Sequence, residues 1–290
     1  MAAGRSAADV ARGGNDTSRV RAVVQGDWGQ DGVDSDVPNV ARMYDYFLGG
    51  GRNFPADREA AQRIVGAFPE VPVMARANRA FLKRVVRHLV VDLGVRQLID
   101  LGSGIPASGN VHEVAQEAAP GTRVIYVDID RTAVLHSRVL LLGNRYASVV
   151  QADLRNAEGI VMHRDVRHFV DFQEPVAVLA LAVLHFITDD RAAAGALATF
   201  YDHAAPGSYC AVTHPARDSR RAQVDRVTAV YRRSGNPVRW RTRDRIEALF
   251  GKFELVEPGL VPWHEWRPDE ETTDTIPDGV GYGGLAVKPA

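Results

Sequence analysis

Residues 97–104 read Gln97-Leu98-Ile99-Asp100-Leu101-Gly102-Ser103-Gly104, and this run decides the fold. A short apolar segment closes on a carboxylate and then on two glycines one residue apart. The pattern predicts a buried strand whose carboxyl end turns sharply, with glycine letting a ligand come close to the backbone. Downstream, residues 123–127 form a second apolar strand that ends at Asp128, and residues 147–151 a third that ends near Asp153. Residues 176–183, 208–213, 253–256 and 282–287 supply four more. Helical periodicity occupies about 110–118, 132–142, 191–204, 218–233 and 242–250. Strands alternating with helices of this length require parallel pairing through crossovers. Apolar strands without polar alternation predict a sheet covered on both faces. Only the last two strands come together without a clear helix between them, which predicts an antiparallel last strand. The expectation is an α/β, Rossmann-like fold on a seven-stranded, mostly parallel sheet.

Upstream the text changes. Val40, Met43, Tyr44, Phe47 and Leu48 keep helical spacing until the glycines at 49–51 stop it. Further helices are predicted over 57–67 and 73–91, the latter with Ala77, Phe81, Val85, His88 and Leu89 on one face. Residues 1–36 are rich in Ala, Gly, Asp and Arg without sustained apolar periodicity, and read as a disordered arm. The chain thus divides into an arm (1–36), a helical cap (37–92) and a core (93–290).

Composition narrows the function. With 290 residues, 46% of them hydrophobic, the chain can bury one sizeable core. A net charge of −1 gives no field to draw it to nucleic acid or an anionic membrane. Cys210 is the single cysteine, which excludes an intramolecular disulfide and a cysteine zinc site and fits a reducing cytoplasm. No apolar run reaches the roughly 20 residues that span a bilayer, and no secretory signal opens the sequence. The oligomeric state is not legible.

The strand ends carry the chemistry. Gly102 and Gly104, with Ser103 between them, give close backbone approach. Asp128, followed by Ile129, is placed to accept from both hydroxyls of a ribose. Asp153, followed by Leu154, stands where an adenine amino group could be read. Any one of these aspartates could be a turn or cap residue. Together with the glycines they describe a nucleoside-shaped crevice at the switch point of an open sheet. Gly102-Ser-Gly-Ile-Pro-Ala107 also satisfies the dinucleotide pattern Gly-x-Gly-x-x-Ala. Asp100, however, would face a pyrophosphate unfavourably and better suits the cationic amino group of a methionine moiety. Gly104 to Gly109 has phosphate-loop spacing, but Asn110 and Val111 replace the required Lys and Ser/Thr. His112-Glu113 opens like a zinc-hydrolase motif, yet Gln116 stands where its second histidine belongs.

The run Asp100-Leu-Gly-Ser-Gly-Ile-Pro-Ala-Ser-Gly-Asn-Val-His-Glu-Val-Ala-Gln116 resembles an actinobacterial family of S-adenosylmethionine (SAM)-dependent methyltransferases of unknown substrate. Three more segments are similar to it: 41–50 (Ala-Arg-Met-Tyr-Asp-Tyr-Phe-Leu-Gly-Gly), 77–82 (Ala-Asn-Arg-Ala-Phe-Leu) and 182–186 (Ala-Val-Leu-His-Phe). The likeness covers about 38–289 and departs at Gly51-Arg52, where the family has Lys-Asp. It implies a class I methyltransferase fold with SAM at the strand ends. The matched segments add Tyr46, Arg79 and Ala182 to the expected cofactor contacts.

Outside the crevice the signals thin. The aromatics and glycines from Tyr44 to Asn53 could fold over the cofactor as a lid. His185, after the fourth strand, is the one weak candidate for a general base, and His214 is weaker. The arginine-rich stretch 217–245 reads as a solvated helical face, with Val224, Val227 and Tyr231 turned inward. The expectation is a SAM-dependent methyltransferase acting on a small-molecule acceptor. The rivals are a catalytically silent SAM-binding regulatory or interaction protein and an NAD(P)-dependent oxidoreductase.

Overall fold

The computed structural model describes residues 34–290, so the expectation for the arm up to residue 33 lies outside the described residues. Three helices precede the sheet: α1 (Val40–Phe47), α2 (Pro55–Ala67) and α3 (Val71–Arg87), the last running into a π-turn over His88–Asp92. The alternating part follows as β1 (Gln97–Leu101), α4 (Val111–Ala118), β2 (Arg123–Asp128), α5 (Arg131–Leu140) and β3 (Ala147–Gln151). Two short helices, α6 (Ala157–Val161) and α7 (Arg164–Phe169), lead to β4 (Ala177–Leu181), α8 (Asp190–His203) and β5 (Tyr209–Pro215). Then come α9 (Arg221–Arg233), α10 (Arg243–Glu247), β6 (Glu254–Leu255) and β7 (Gly281–Val287).

The strands form one sheet in the order β3-β2-β1-β4-β5-β7-β6. β1 to β5 are parallel, while β7 runs antiparallel to β5 and pairs antiparallel with β6. The strand order reverses at β1, between β2 and β4, which opens a crevice at the strand carboxyl ends. Alternation along each strand divides the core. Leu98, Val124 and Leu179 pack with Phe81, Val85 and Leu89 of the N-terminal helices. Ile99, Ile125 and Val178 pack against Leu197 and Phe200 of α8 on the opposite face. The helices of the 37–92 segment therefore share a hydrophobic cluster with the sheet.

Several expectations needed revision. Helices α6 and α7 fall where sequence periodicity gave no element, because each is little more than one turn. The fourth strand ends at Leu181, two residues early. Ala182 adopts a left-handed φ of 52°, and Leu184–Phe186 form a 3-10 turn. The helix expected from 218 starts at Arg221, after Arg220 at a φ of 55°.

Candidate functional site

Gly102 and Gly104, at φ 68° and 66°, carry the chain away from β1 in conformations costly to side-chain-bearing residues. At Gly102 a Cβ would collide with Val183, so glycine there is also what lets the β1 and β4 loops approach. Asp128, at the end of β2, is buried and ties the loops together. Its Oδ2 accepts from Gly104 N at 2.7 Å and its Oδ1 from Asp130 N at 2.8 Å. Burial raises its carboxyl to about 6. Asp100 is also buried, and its carboxylate has no hydrogen-bond partner among the described residues. Burial raises it to about 7, against the pull of the nearby Arg79 guanidinium and with a further push from Asp128. Arg79 donates to the carbonyls of Ser108 and Gly109 at 3.1 and 2.8 Å.

These groups open on one cavity of about 630 Å³, within the roughly 300–1,000 Å³ usual for small-molecule sites. Asp100, Gly102, Ser103 and Gly104 line it from β1, Asp128 and Ile129 from β2, and Asp153 and Leu154 from β3. Ala182 and His185 line it from β4, and Arg79 from α3. The sequence-predicted set is thus gathered in one space, with a single exception. Tyr46 lies outside the cavity and accepts from Gln62 Nε2 at 3.2 Å. Two residues on a helix point about 200° apart. The inward tyrosine is therefore Tyr44, which lines the cavity with Val40 and Phe47. Of the two tyrosines in the expected lid segment, Tyr44 faces the cavity and Tyr46 does not.

Asp153 keeps both of its readings. It faces the cavity, yet it also caps the 3-10 turn after β3, accepting from Arg155 N at 2.9 Å and from the Arg155 guanidinium at 2.6 Å. That guanidinium holds its carboxyl below the usual range. Glu113 reaches back to Asn110 N at 2.8 Å, and His112 meets the Tyr126 hydroxyl at 2.7 Å. The motif that begins like a zinc site is a helix cap and a buried hydrogen bond.

Asn39 caps α1, accepting from Ala41 N and Arg42 N, and its Nδ2 donates to Asp130 at 2.7 Å. The roof helix is thereby fastened to the loop that follows Asp128. Deeper in, the Asn78 amide accepts from the Thr213 hydroxyl at 2.6 Å and donates to Tyr44 Oη at 2.9 Å. Thr213 in turn accepts from Ala182 N at 2.9 Å. One chain of hydrogen bonds runs from α1 through α3 and β5 to the left-handed residue after β4.

The arginine-rich stretch is corrected in one position. Arg241 is 1% exposed and grips the turn that carries His185. It donates to Leu184 O at 3.0 Å and Ile187 O at 2.8 Å, and pairs with Asp190 at 3.0 Å. Arg239 N adds a bond to His185 O at 2.7 Å. His214 Nδ1 meets Pro215 O and its Nε2 meets the Arg241 guanidinium, each at 2.7 Å. The first contact requires a proton on Nδ1 and the second a bare Nε2, so His214 is neutral with a fixed tautomer. His185 Nδ1 is buried with no partner. Burial, reinforced by Arg241, depresses the ring to about 3. As a base at neutral pH, His185 is poorly built. Among the cavity residues that the sequence reading gave no part in the site are Asn78, Trp240 and Trp263. Asn78 had a usable signal in its helical spacing from Met74, whereas Trp240 and Trp263 sit in irregular chain.

A seven-stranded sheet of this order, with an acidic and glycine-lined crevice at its switch point, defines a Rossmann-like class I methyltransferase. Residues 26–289 match the family model described as S-adenosyl methyltransferase. The chain belongs to that family; it is a SAM-dependent methyltransferase, and the nicotinamide reading is set aside. A DUF574 family protein from Streptomyces avermitilis is similar in structure, with 38% identity, a TM-score of 0.84, and coverage of 88% of this chain and 99% of that one. A Thermobifida fusca crystal structure is similar at 39% identity and TM-score 0.84, covering 91% and 99%. No protein of curated function matches this chain significantly. Among the described residues, no helix is long and apolar enough to cross a membrane.

Proposed function

We propose that SAM is held between Asp100, Arg79 and the strand-end aspartates, and that a small-molecule acceptor enters the apolar end of the same cavity. The observation that carries this reading is Asp100, a buried carboxylate with no hydrogen bond, facing a cavity. Such a group is costly unless a cation meets it, and the ammonium of a methionine moiety is that cation. Arg79 stands beside it to face the carboxylate of the same moiety. Asp128 would accept from ribose hydroxyls, Ile129 and Leu154 would flank the base, and Asp153 would read its amino group. When bound, SAM supplies a sulfonium-activated methyl group, so the protein's task is chiefly positioning. Asn78 and Thr213 fix the Ala182 backbone, and Arg241 fixes the His185 turn, so the wall between the two halves is rigid.

Calorimetric titration with SAM, S-adenosylhomocysteine, NAD and NADP tests the cofactor assignment. Only the first two should bind, and Asp100→Asn should weaken both. Product analysis after incubation with labelled SAM and a metabolite extract then tests transfer. Label confined to macromolecules would remove the small-molecule assignment.

A further inference from the structure

Past the strand-end carboxylates the cavity changes character. Tyr44, Phe47 and Met74 line it from the N-terminal helices, and Val227, Tyr231 and Trp240 face them from α9 and the chain after it. Every Asp, Glu, Lys or Arg on the cavity wall is either Arg79 or lies at the carboxyl ends of β1 and β2 or in the turns and helix start that follow β2 and β3. The remaining wall carries no charged side chain. Arg241, which grips the His185 turn from behind, is committed to Asp190, two backbone carbonyls and His214. His214 is locked neutral by its two partners. Tyr44 Oη sits between Asn78 Nδ2 and Ala75 O. Phe186 meets Tyr231 edge-on at 6.0 Å and His185 at 4.0 Å, so aromatic surfaces dominate.

We propose that this chamber selects its acceptor by charge, taking an uncharged, ring-bearing, largely apolar molecule and excluding carboxylates and ammonium ions. The inference rests on the cofactor assignment above, which fills the charged half of the cavity and leaves this half for the acceptor. The physical basis is desolvation. An ion entering here gives up its hydration and finds no counter-ion, because the buried Arg241 behind the wall is already satisfied. A neutral ring loses little hydration and gains edge and face contacts with the aromatic wall. Burial holds the Tyr44 and Tyr231 hydroxyls protonated and His185 unprotonated, so the wall cannot readily generate a compensating charge.

Three probes with one ring and different charge decide the matter. The full-length protein, saturated with S-adenosylhomocysteine, is titrated calorimetrically at neutral pH with indole, indole-3-acetate and tryptamine. Indole should bind at least about tenfold more tightly than either ion. A charged probe that binds as well as indole overturns the proposal, and so does binding by none of the three. If S-adenosylhomocysteine itself fails to bind, the cofactor assignment is what has failed, and the chamber is read by difference in the unliganded protein: Tyr231→Glu should shift preference towards tryptamine relative to wild type, and no shift overturns the proposal. Tyr231→Glu sharpens the test by adding a carboxylate to the wall, with S-adenosylhomocysteine affinity as the check on folding. In that variant tryptamine should overtake indole; an unchanged order of affinities counts against the charge-exclusion account.

Discussion

The two halves of the cavity are built by opposite means. The half proposed for the cofactor is built, apart from Arg79, from strand ends in consecutive βα units between Asp100 and Leu154, and presents carboxylates and glycines. The acceptor half is assembled from α1, α3, α9 and the loops after them, more than 180 residues apart in sequence, and uses aromatic and aliphatic surface. In the first half the chemistry is exposed to the ligand and the scaffold is generic. In the second the polar chemistry is turned away from the ligand: Arg241, His214, Asn78 and Thr213 serve the wall's rigidity and leave its surface neutral. A conserved task can thus be kept in one half while the other adapts to its acceptor.

The largest expected effect tests whether the acceptor half depends on that hidden scaffold. Arg241→Ala leaves two carbonyls and His214 unmatched around a buried hole, while Asp190 keeps Arg239 and Arg245, and should cost about 3–5 kcal/mol of stability in urea unfolding. A loss below about 1 kcal/mol would show that the His185 turn stands without its clamp. Asp128→Ala addresses the other half. It removes both the loop hydrogen bonds and the proposed ribose partner, and should weaken S-adenosylhomocysteine by about 2–4 kcal/mol, roughly 30- to 1,000-fold in Kd. An affinity within about twofold of wild type, read by calorimetry, takes Asp128 off the site.

A pH series separates the halves without mutation. Asp100 titrates near 7 in the unliganded protein, and a cationic ligand requires its carboxylate. SAM affinity should therefore rise with pH through about 7, by up to about tenfold per unit, and Asp100→Asn should flatten the dependence. The stability of the unliganded protein runs the other way. The native carboxyl holds its proton more tightly than the unfolded one, so its stabilising contribution is full below the ordinary range near 4 and is lost as pH rises towards 7. The melting temperature should fall across that window without ligand, and saturating ligand should flatten the fall, because the paired carboxylate is then ionised in both the folded and the unfolded protein. The smallest effects compare neighbouring tyrosines. Tyr44→Phe strips hydrogen bonds from Asn78 and Ala75 O and should cost about 1–2 kcal/mol. Tyr46→Phe, outside the cavity, should stay within about 0.5 kcal/mol. Equal costs in thermal unfolding would dissolve the distinction between the inward and outward faces of α1.

The same asymmetry explains what could be read from sequence. The strands are legible because each is a short apolar run, and the crevice because β1, β2 and β3 run into Gly102, Asp128 and Asp153 at or within two residues of their ends. Tyr46 was misplaced because a resemblance marks a segment, whereas facing is set by helical phase. Arg241 reads as solvated because its neighbours in sequence are other arginines. Its burial depends on Asp190 and the carbonyls after β4, some 50 residues away. Trp240 and Trp263 had no periodicity to betray them, since both lie outside regular elements.

β7 lies between β5 and β6 although it follows both in the chain. Its seven register pairs with β5, Tyr209 to Pro215, stay open until residues 281–287 are available. A chain made from its N-terminus has by then already produced every residue of the cofactor cradle. It also carries a bare strand edge, the kind of surface that invites wrong pairing. Trp263, on the acceptor wall, packs against the backbone of Gly281 and Gly283 and gains its seat only when that strand arrives. During synthesis, then, the cofactor cradle can form before the acceptor chamber has its wall, and the interval between them is the time needed to translate the segment that closes the sheet.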